Sequence, residues 1–378
     1  MRIKHLAGEC LRRFFCLFPL DRNKVYFSSF NGRGYSDNCR AIAEALRASG
    51  EDLHLCWLVR TPRDAESLPP DVKPVYAGTL AQTYHSATAK FWVDNGRKYQ
   101  SVKRRGQRYL QTWHGFALKR IEADAADALD DAYVRAAKKD SEMTDLYVSG
   151  SEFMTGLYRN SFWYGGEVAQ WGTPRNDVFF APTEGIARRV REALNLPADR
   201  KLALYAPTFR ADGSTSAYGL DASAVGDACA RRFGGEWSVL IRLHPNAAKL
   251  SAGLFAYDGD RVLDATLYPD MTDLLLAADL LITDYSSSMF DYALQGKPCM
   301  QFATDVEAYR NDRNFYFALD ELPFPLAEDN ARLCDNIEGY SRETWAGKWK
   351  AFCDKYGFCE DGKAAARCAN WILQQRKD

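Results

Sequence analysis

The stretch from Thr266 to Pro298, TLYPDMTDLLLAADLLITDYSSSMFDYALQGKP, constrains the fold more than any other. Apolar spacing from Met271 to Ala278 predicts an amphipathic helix, and the unbroken run Leu280, Leu281, Ile282, Thr283 predicts a short buried strand. Asp284, Tyr285, Ser286, Ser287 and Ser288 then form a polar turn, with a second helix expected from near Met289. Two readings of the turn stand side by side. Unpaired N–H groups and the helix dipole at a strand-to-helix junction favour a phosphate; serines at the same place also serve simply to cap the helix.

The rest of the chain alternates in the same way. Candidate strands are Val25 to Ser28, Leu53 to Val59, Phe91 to Asp94, Tyr109 to Trp113 and Leu146 to Ser149, with helical stretches such as Cys39 to Ala48 between some of them. A second block holds Leu202 to Ala206, Trp237 to Leu243, Arg261 to Leu263, Leu280 to Thr283 and Pro298 to Phe302. Alternation of this kind implies parallel sheets, so we expect an α/β chain with two Rossmann-like domains facing across a cleft, joined through Thr173 to Asn195. In GRGYSDN (Gly32 to Asn38), Ser36 or Asp37 is expected to cap the following helix. The charged run between Leu118 and Thr144 reads as a solvated helical face. A tail rich in Trp and Phe, Arg342 to Gln375, is expected to be helical and to pack across the domain junction.

Length and charge narrow the function. At 378 residues the chain is long enough for two cores. Its 49 basic and 50 acidic residues argue against nucleic acid as a partner. Ten scattered cysteines with no C-x-x-C pair read as reduced thiols. No apolar run is long enough to span a bilayer. The first twenty residues differ from the rest: Ile3, Leu6, Ala7, Cys10, Leu11, Phe14, Phe15 and Phe18 share one helical face, and Arg2, Lys4, His5, Arg12 and Arg13 occupy the other. We read residues 1–22 as an amphipathic membrane-association helix; an ordinary helix docked on the domain is the competing reading.

Five histidines exist, and two follow strands. His114 ends YLQTWH and precedes Gly115, which permits a sharp turn; His244 follows SVLIRL and is fixed by Pro245. At a sheet's carboxyl edge both are candidate catalytic groups. Arg242 shares a strand face with His244, Arg210 ends YAPTFR, and Arg175 with Asn176 lies in GTPRND. Arginine suits bidentate phosphate recognition, with a surface ion pair as the competing reading of each; Asp284, the three serines and Thr266 at the head of the opening stretch are further candidate substrate-binding residues. Metal-ligand spacing is absent, so no protein-bound metal or cofactor is expected, and free Mg²⁺ is left open.

The strings VYFSSFNGRGYSDNCRAI, TWHGFALKRI, SGSEF, GTPRNDVFF, YAPTFR, IRLHPN, the opening stretch and YRNDRNFYF resemble, in order and spacing, the CDP-glycerol glycerophosphotransferase family of teichoic-acid and related polymer synthesis. The resemblance runs from about Lys24 to Phe317, and TWHG, RLHP and TDYSS together are its most specific pieces. It implies a GT-B fold with an N-terminal acceptor domain (23–180), a C-terminal nucleotide domain (195–340), C-terminal helices (341–378), and peripheral attachment at the cytoplasmic membrane face. The partners it implies are a CDP-glycerol or CDP-ribitol donor and a lipid-linked acceptor. His114 and His244 match the family's essential pair, and Arg210 with Ser286 or Ser287 matches its contacts to the CDP phosphates.

The family commonly reads HGT followed by Pro, whereas this chain has Phe116 and Ala117 after His114 and Gly115. An aromatic ring beside the base is expected to reshape the acceptor pocket. The resemblance implies a transferase that moves glycerol phosphate to an acceptor hydroxyl and releases CMP. A GT-B glycosyltransferase using a nucleotide sugar and a silent membrane-bound assembly subunit are the competing classes.

Overall fold

The computed structural model describes residues 11–98, 102–210, 215–243, 253–306 and 315–376. The chain divides into two compact units, residues 1–115, 121–177 and 357–378 in the first, residues 116–120 and 178–356 in the second.

Seven parallel strands form the first unit: β1 (Asp21–Ser28), β2 (His54–Val59), β3 (Lys73–Tyr76), β4 (Ala89–Asp94), β5 (Arg108–Gln111), β6 (Leu146–Ser149) and β7 (Glu167–Gln170). Their order is β3-β2-β1-β4-β5-β6-β7. Side chains alternate across the pleat, and both faces are covered. Val25 and Phe27 pack with Trp57, Phe91, Ile42 and Leu46 on one face, while Tyr26 packs with Trp92, Tyr109 and Met143 on the other. Helix Ala364–Gln375 adds Cys368 and Ile372 to the first of these cores. Its start is fixed by Asp177, whose carboxylate accepts the Ala364 and Ala365 N–H groups at 3.0 and 2.7 Å, a favourable place for negative charge on a helix dipole.

The second unit carries six parallel strands: β8 (Lys201–Ala206), β9 (Trp237–Ile241), β10 (Val262–Asp264), β11 (Leu280–Thr283), β12 (Cys299–Phe302) and β13 (Leu326–Ala327), in the order β10-β9-β8-β11-β12-β13. The predicted LLIT strand is β11, entirely buried. Two aspartates fasten it to β8. Asp279, just before the strand, accepts the Leu202 N–H at 2.9 Å, and Asp284, just after it, accepts the Thr208 N–H at 2.8 Å. Helices Met271–Ala277 and Ser288–Ala293 flank it as the spacing predicts. Both units thus have the strand order of a doubly wound nucleotide-binding sheet, the α/β, GT-B-like class expected.

Several local expectations change. The edge strands β3, β7 and β13 carry few buried residues, with Val75 the single buried residue of β3, so they give little periodic signal. Strand β5 stops at Gln111, short of the expected Trp113, because Trp113 adopts φ +52°. The charged run after Leu118 is not a uniform solvated face: it makes a 3-10 turn at Glu122–Ala128 and a helix at Asp131–Met143, and Glu122 and Asp140 are buried. Both carboxylates meet Arg97, Glu122 at 2.8 Å and Asp140 at 3.1 Å. Phe116 is buried in the second unit against Phe290 at 4.6 Å and Phe317 at 5.7 Å between ring centroids.

The N-terminal segment also departs from the simple amphipathic picture. Residues 1–10 lie outside the described residues, and residues 11–15 are helical. Arg12, assigned to the water-facing side, is buried: Nε and Nη2 donate to the Val102 carbonyl and Nη1 to Ser86 Oγ, with the guanidinium 5.1 Å from the Trp92 ring. Burial pulls its pKa down to about 10. Phe14 and Leu17 point outward instead, at 54% and 81% exposure.

The buried Arg97 cluster yields a stability prediction. Arg97→Met leaves Glu122 and Asp140 as buried carboxylates without their cation, a change that costs about 3–5 kcal/mol. Urea denaturation should show a loss of that size; a loss below about 1 kcal/mol would mean the carboxylates do not need the guanidinium.

Candidate functional site

In a doubly wound sheet the chain leaves neighbouring strands toward opposite faces at one point, and a gap opens there at the carboxyl edge. Strand order places that point between β1 and β4 in the first unit and between β8 and β11 in the second. Each unit concentrates its polar side chains at this edge.

In the first unit, the turn after β1 departs from ordinary backbone geometry. Phe30, Asn31, Gly32, Gly34 and Asp37 all have positive φ. Ser36 makes no side-chain capping hydrogen bond to the helix Asp37–Ala48. The Asp37 carboxylate instead accepts from Asn95 Nδ2 at 2.7 Å and from Arg175 Nη1 at 2.7 Å. Asn95, just past β4, also accepts the Phe30 N–H at 2.8 Å through Oδ1. Asn38 completes the frame, accepting the Arg175 N–H at 2.9 Å and donating to the Trp113 carbonyl at 3.0 Å.

His114 is held by this frame. Its Nδ1 lies 2.7 Å from the Asn95 carbonyl oxygen, an acceptor only, so Nδ1 carries the proton and Nε2 keeps the lone pair. Trp113 stacks on the imidazole at 4.3 Å and 25°, and Phe30 tilts against it at 5.6 Å. Behind Trp113 sits the Arg97 guanidinium, 5.8 Å from its ring. Burial pulls the His114 pKa below its ordinary value, against the raising effect of the Asn95 carbonyl. The ring is therefore neutral at neutral pH and suited to accept a proton at Nε2. Gly115 is required by the same frame: it has φ +118°, and a Cβ there would come within 2.3 Å of Arg175 Nη2.

Arg175 and Asn176 part company. Arg175 joins the frame, whereas Asn176 is buried with its amide nitrogen 3.4 Å from Glu360.

In the second unit, Arg210 is buried and forked between two carboxylates. Nε and Nη2 reach Asp305 at 2.7 and 3.0 Å, Nη2 reaches Asp284 at 2.9 Å, and Nη1 donates to the Thr208 carbonyl at 2.6 Å. Burial works against the charge, yet Asp305 and Asp284 hold the guanidinium pKa above its ordinary value. Tyr285 covers the fork, its hydroxyl 2.9 Å from Asp305 and its ring 5.0 Å from the guanidinium. Asp284 is saturated by Arg210, Thr208 and its neighbour Tyr285. These residues hold the turn in shape.

The serines that follow are half-buried rather than sealed. Ser286 and Ser288 hydroxyls lie 2.9 Å apart, and Ser287 makes no side-chain capping bond to the helix. Nearby, Thr266 is buried and its hydroxyl accepts the Leu243 N–H at 3.1 Å, fixing the residue before His244. Arg242 donates to the Tyr268 carbonyl at 3.3 Å, and its buried Nε has no acceptor among the described residues. Burial lowers its pKa. His244 lies outside the described residues.

Sequence reasoning missed Asn95 and Asp305. Asn95 holds His114 through a backbone carbonyl, which no residue-type pattern announces; Asp305 has the weaker signal of an acid just beyond the end of β12.

Comparison with known proteins places the chain in a family. The chain is 30% identical over 369 residues to the teichoic acid poly(glycerol phosphate) polymerase of Bacillus subtilis, covering 94% of this chain and 49% of that protein, so it spans about half of that relative's length. It is 30% identical over 373 residues to the teichoic acid glycerol-phosphate transferase of Staphylococcus aureus, covering 94% of each. A structure of the wall teichoic acid polymerase TagF soaked with CDPG superposes with a TM-score of 0.81 at 27% identity, over 99% of this chain and 95% of that one. The family model for CDP-Glycerol:Poly(glycerophosphate) glycerophosphotransferase matches residues 10–374, and the chain belongs to that family.

Proposed function

We propose that the chain transfers a polyol phosphate, glycerol phosphate first among candidates, from CDP-glycerol to a hydroxyl of a lipid-linked acceptor, releasing CMP. The observation that carries the reading is His114, with Nδ1 tied to the Asn95 carbonyl and Nε2 kept basic at the carboxyl edge of the sheet, in a chain of this family. Nε2 takes the proton of the acceptor hydroxyl as its oxygen bonds to the phosphorus that carries the polyol. The bond between that phosphorus and the CMP oxygen breaks, and CMP carries the charge away. Such transfers depend on alignment and on neutralising spread negative charge.

The neutralising groups are assigned to the second unit. His244, matched to the family's second essential histidine, and Arg242, whose buried Nε has no acceptor among the described residues, are assigned to the diphosphate. Ser286, Ser287 and Ser288 supply hydroxyls and amides to the nucleotide end. Arg210 acts indirectly: its fork fixes Asp284 and Asp305, and with them the backbone of the turn. Thr266 likewise acts by holding Leu243.

His114→Ala should lower the rate of CMP release from CDP-glycerol by about 10² to 10⁴ while leaving the circular dichroism unchanged. Near-normal turnover in a folded variant would remove His114 from the chemistry. The base must be neutral to work, and its lowered pKa keeps it neutral further into acid. The acid limb of kcat/KM is therefore expected below the ordinary imidazole value of about 6.5; a limb above it would contradict the assignment.

The proposal places the enzyme at a membrane surface, peripherally and on the cytoplasmic face. Among the described residues no helix is long and apolar enough to cross a membrane. What supports attachment is a set of outward apolar groups, Phe14, Leu17, Phe18, Leu80 and Val102, with Arg13 and Arg105 exposed on the same segments. Arg12 bonded to Val102, and Phe15 and Phe18 packed on Tyr84, hold these segments together. Burying such groups among anionic headgroups gains both apolar and electrostatic free energy. Leu17→Glu combined with Phe18→Glu should weaken binding to phosphatidylglycerol vesicles and spare turnover of a soluble acceptor. Unchanged vesicle binding would return residues 11–18 to a purely structural role.

A further inference from the structure

We propose that Phe30 is the platform on which the carbon chain of the acceptor rests, presenting a polyol or sugar hydroxyl to His114. The inference rests on the reading of His114 as the base. Phe30 has φ +43°, in the left-handed region that aromatic residues seldom occupy, and it is followed by Asn31 at +55° and Gly32 at +89°. Glycine would adopt this backbone without strain, yet the position carries a large ring that remains 37% exposed. Backbone strain of this kind persists where surrounding contacts impose it. Here the imposing contact is the Phe30 N–H to Asn95 Oδ1 bond of 2.8 Å.

Asn95 does two things at once. Its side chain fixes Phe30 and its backbone carbonyl fixes His114 Nδ1, so one residue sets the position of the ring and of the imidazole together. The ring lies 5.6 Å from the imidazole at an interplanar angle of 58°. Asp37, also bonded to Asn95, is neutralised by Arg175 at 2.7 Å, which keeps the frame rigid.

The chemistry of the ring selects the occupant. An aromatic face carries partial negative charge, so it repels a phosphate and favours C–H groups. The carbons next to an attacking hydroxyl in a polyol or sugar present such groups. A platform of this kind adds contact without a directed hydrogen bond, so it tolerates either polyol and holds the hydroxyl toward Nε2. Phe30 is thus a positioning residue for the acceptor, distinct from the groups assigned to the donor.

The test uses the full chain with CDP-glycerol and a synthetic oligo(glycerol phosphate) as acceptor probe. Phe30→Gly should raise the acceptor KM about tenfold or more, as expected for a lost aromatic contact, and leave the donor KM within about twofold. Its Tm should not fall, because glycine relieves the left-handed strain. Phe30→Tyr should restore the acceptor KM toward that of the unaltered chain. An acceptor KM within about twofold of the unaltered chain in Phe30→Gly overturns the inference, as does an equal rise in both KM values accompanied by a lower Tm, the pattern of a packing residue. His114→Gln separates the two levels of the argument. If it keeps full turnover, the reading of the base fails; if it is inactive while Phe30→Gly binds acceptor normally, only the platform fails.

Discussion

Where two adjacent parallel strands send their chains to opposite faces of a sheet, the backbone groups at the carboxyl edge have no neighbouring strand to satisfy them, and side chains must do so. The candidate site of each unit is built from the side chains that meet that need. After β1 and β4 the partners are Asn95, Asp37, Asn38 and Arg175, and the imidazole of His114 is fixed as one member of their network. After β8 and β11 the partners are Asp284 and Arg210 with Asp305, and the serine turn is carried on them.

The two units solve the problem with different chemistry. The first uses neutral amides and one carboxylate already paired with Arg175, leaving a lone pair on Nε2 in an apolar, aromatic setting of Trp113 and Phe30. That is a setting for proton abstraction. The second uses a buried guanidinium between two carboxylates, a rigid support beneath half-buried hydroxyls. Removing the guanidinium would leave Asp284 uncompensated in the interior, so its value to the site is geometric before it is electrostatic.

Much of this was legible in the residues. The LLIT run announces β11 because it is apolar without a break and bounded by Asp279 and Asp284, and the strand–helix alternation announces both parallel sheets. His114 was legible from its place after a strand and before Gly115. The helix Asp37–Ala48 was legible too, but not the work of Asp37, because a capping acid and an acid aimed at Arg175, 138 residues later, look alike in sequence. Arg210 was read as a phosphate ligand or an ion-pair partner, and its carboxylate Asp305, 95 residues on, is beyond the reach of local pattern. Asn95 was invisible because its decisive group is a carbonyl common to every residue. Local pattern specifies elements; the pairing of buried charges across long separations does not appear in it.

The central claim is that this chain breaks the bond between a nucleotide and a polyol phosphate, and does not transfer a sugar from a nucleotide. Incubation with CDP-glycerol, CDP-ribitol and a UDP-sugar, each with an oligo(glycerol phosphate) acceptor, followed by mass analysis of both products, tests it most directly. The account predicts CMP together with an acceptor lengthened by one polyol phosphate. Release of a nucleoside diphosphate with a glycosylated acceptor would contradict it.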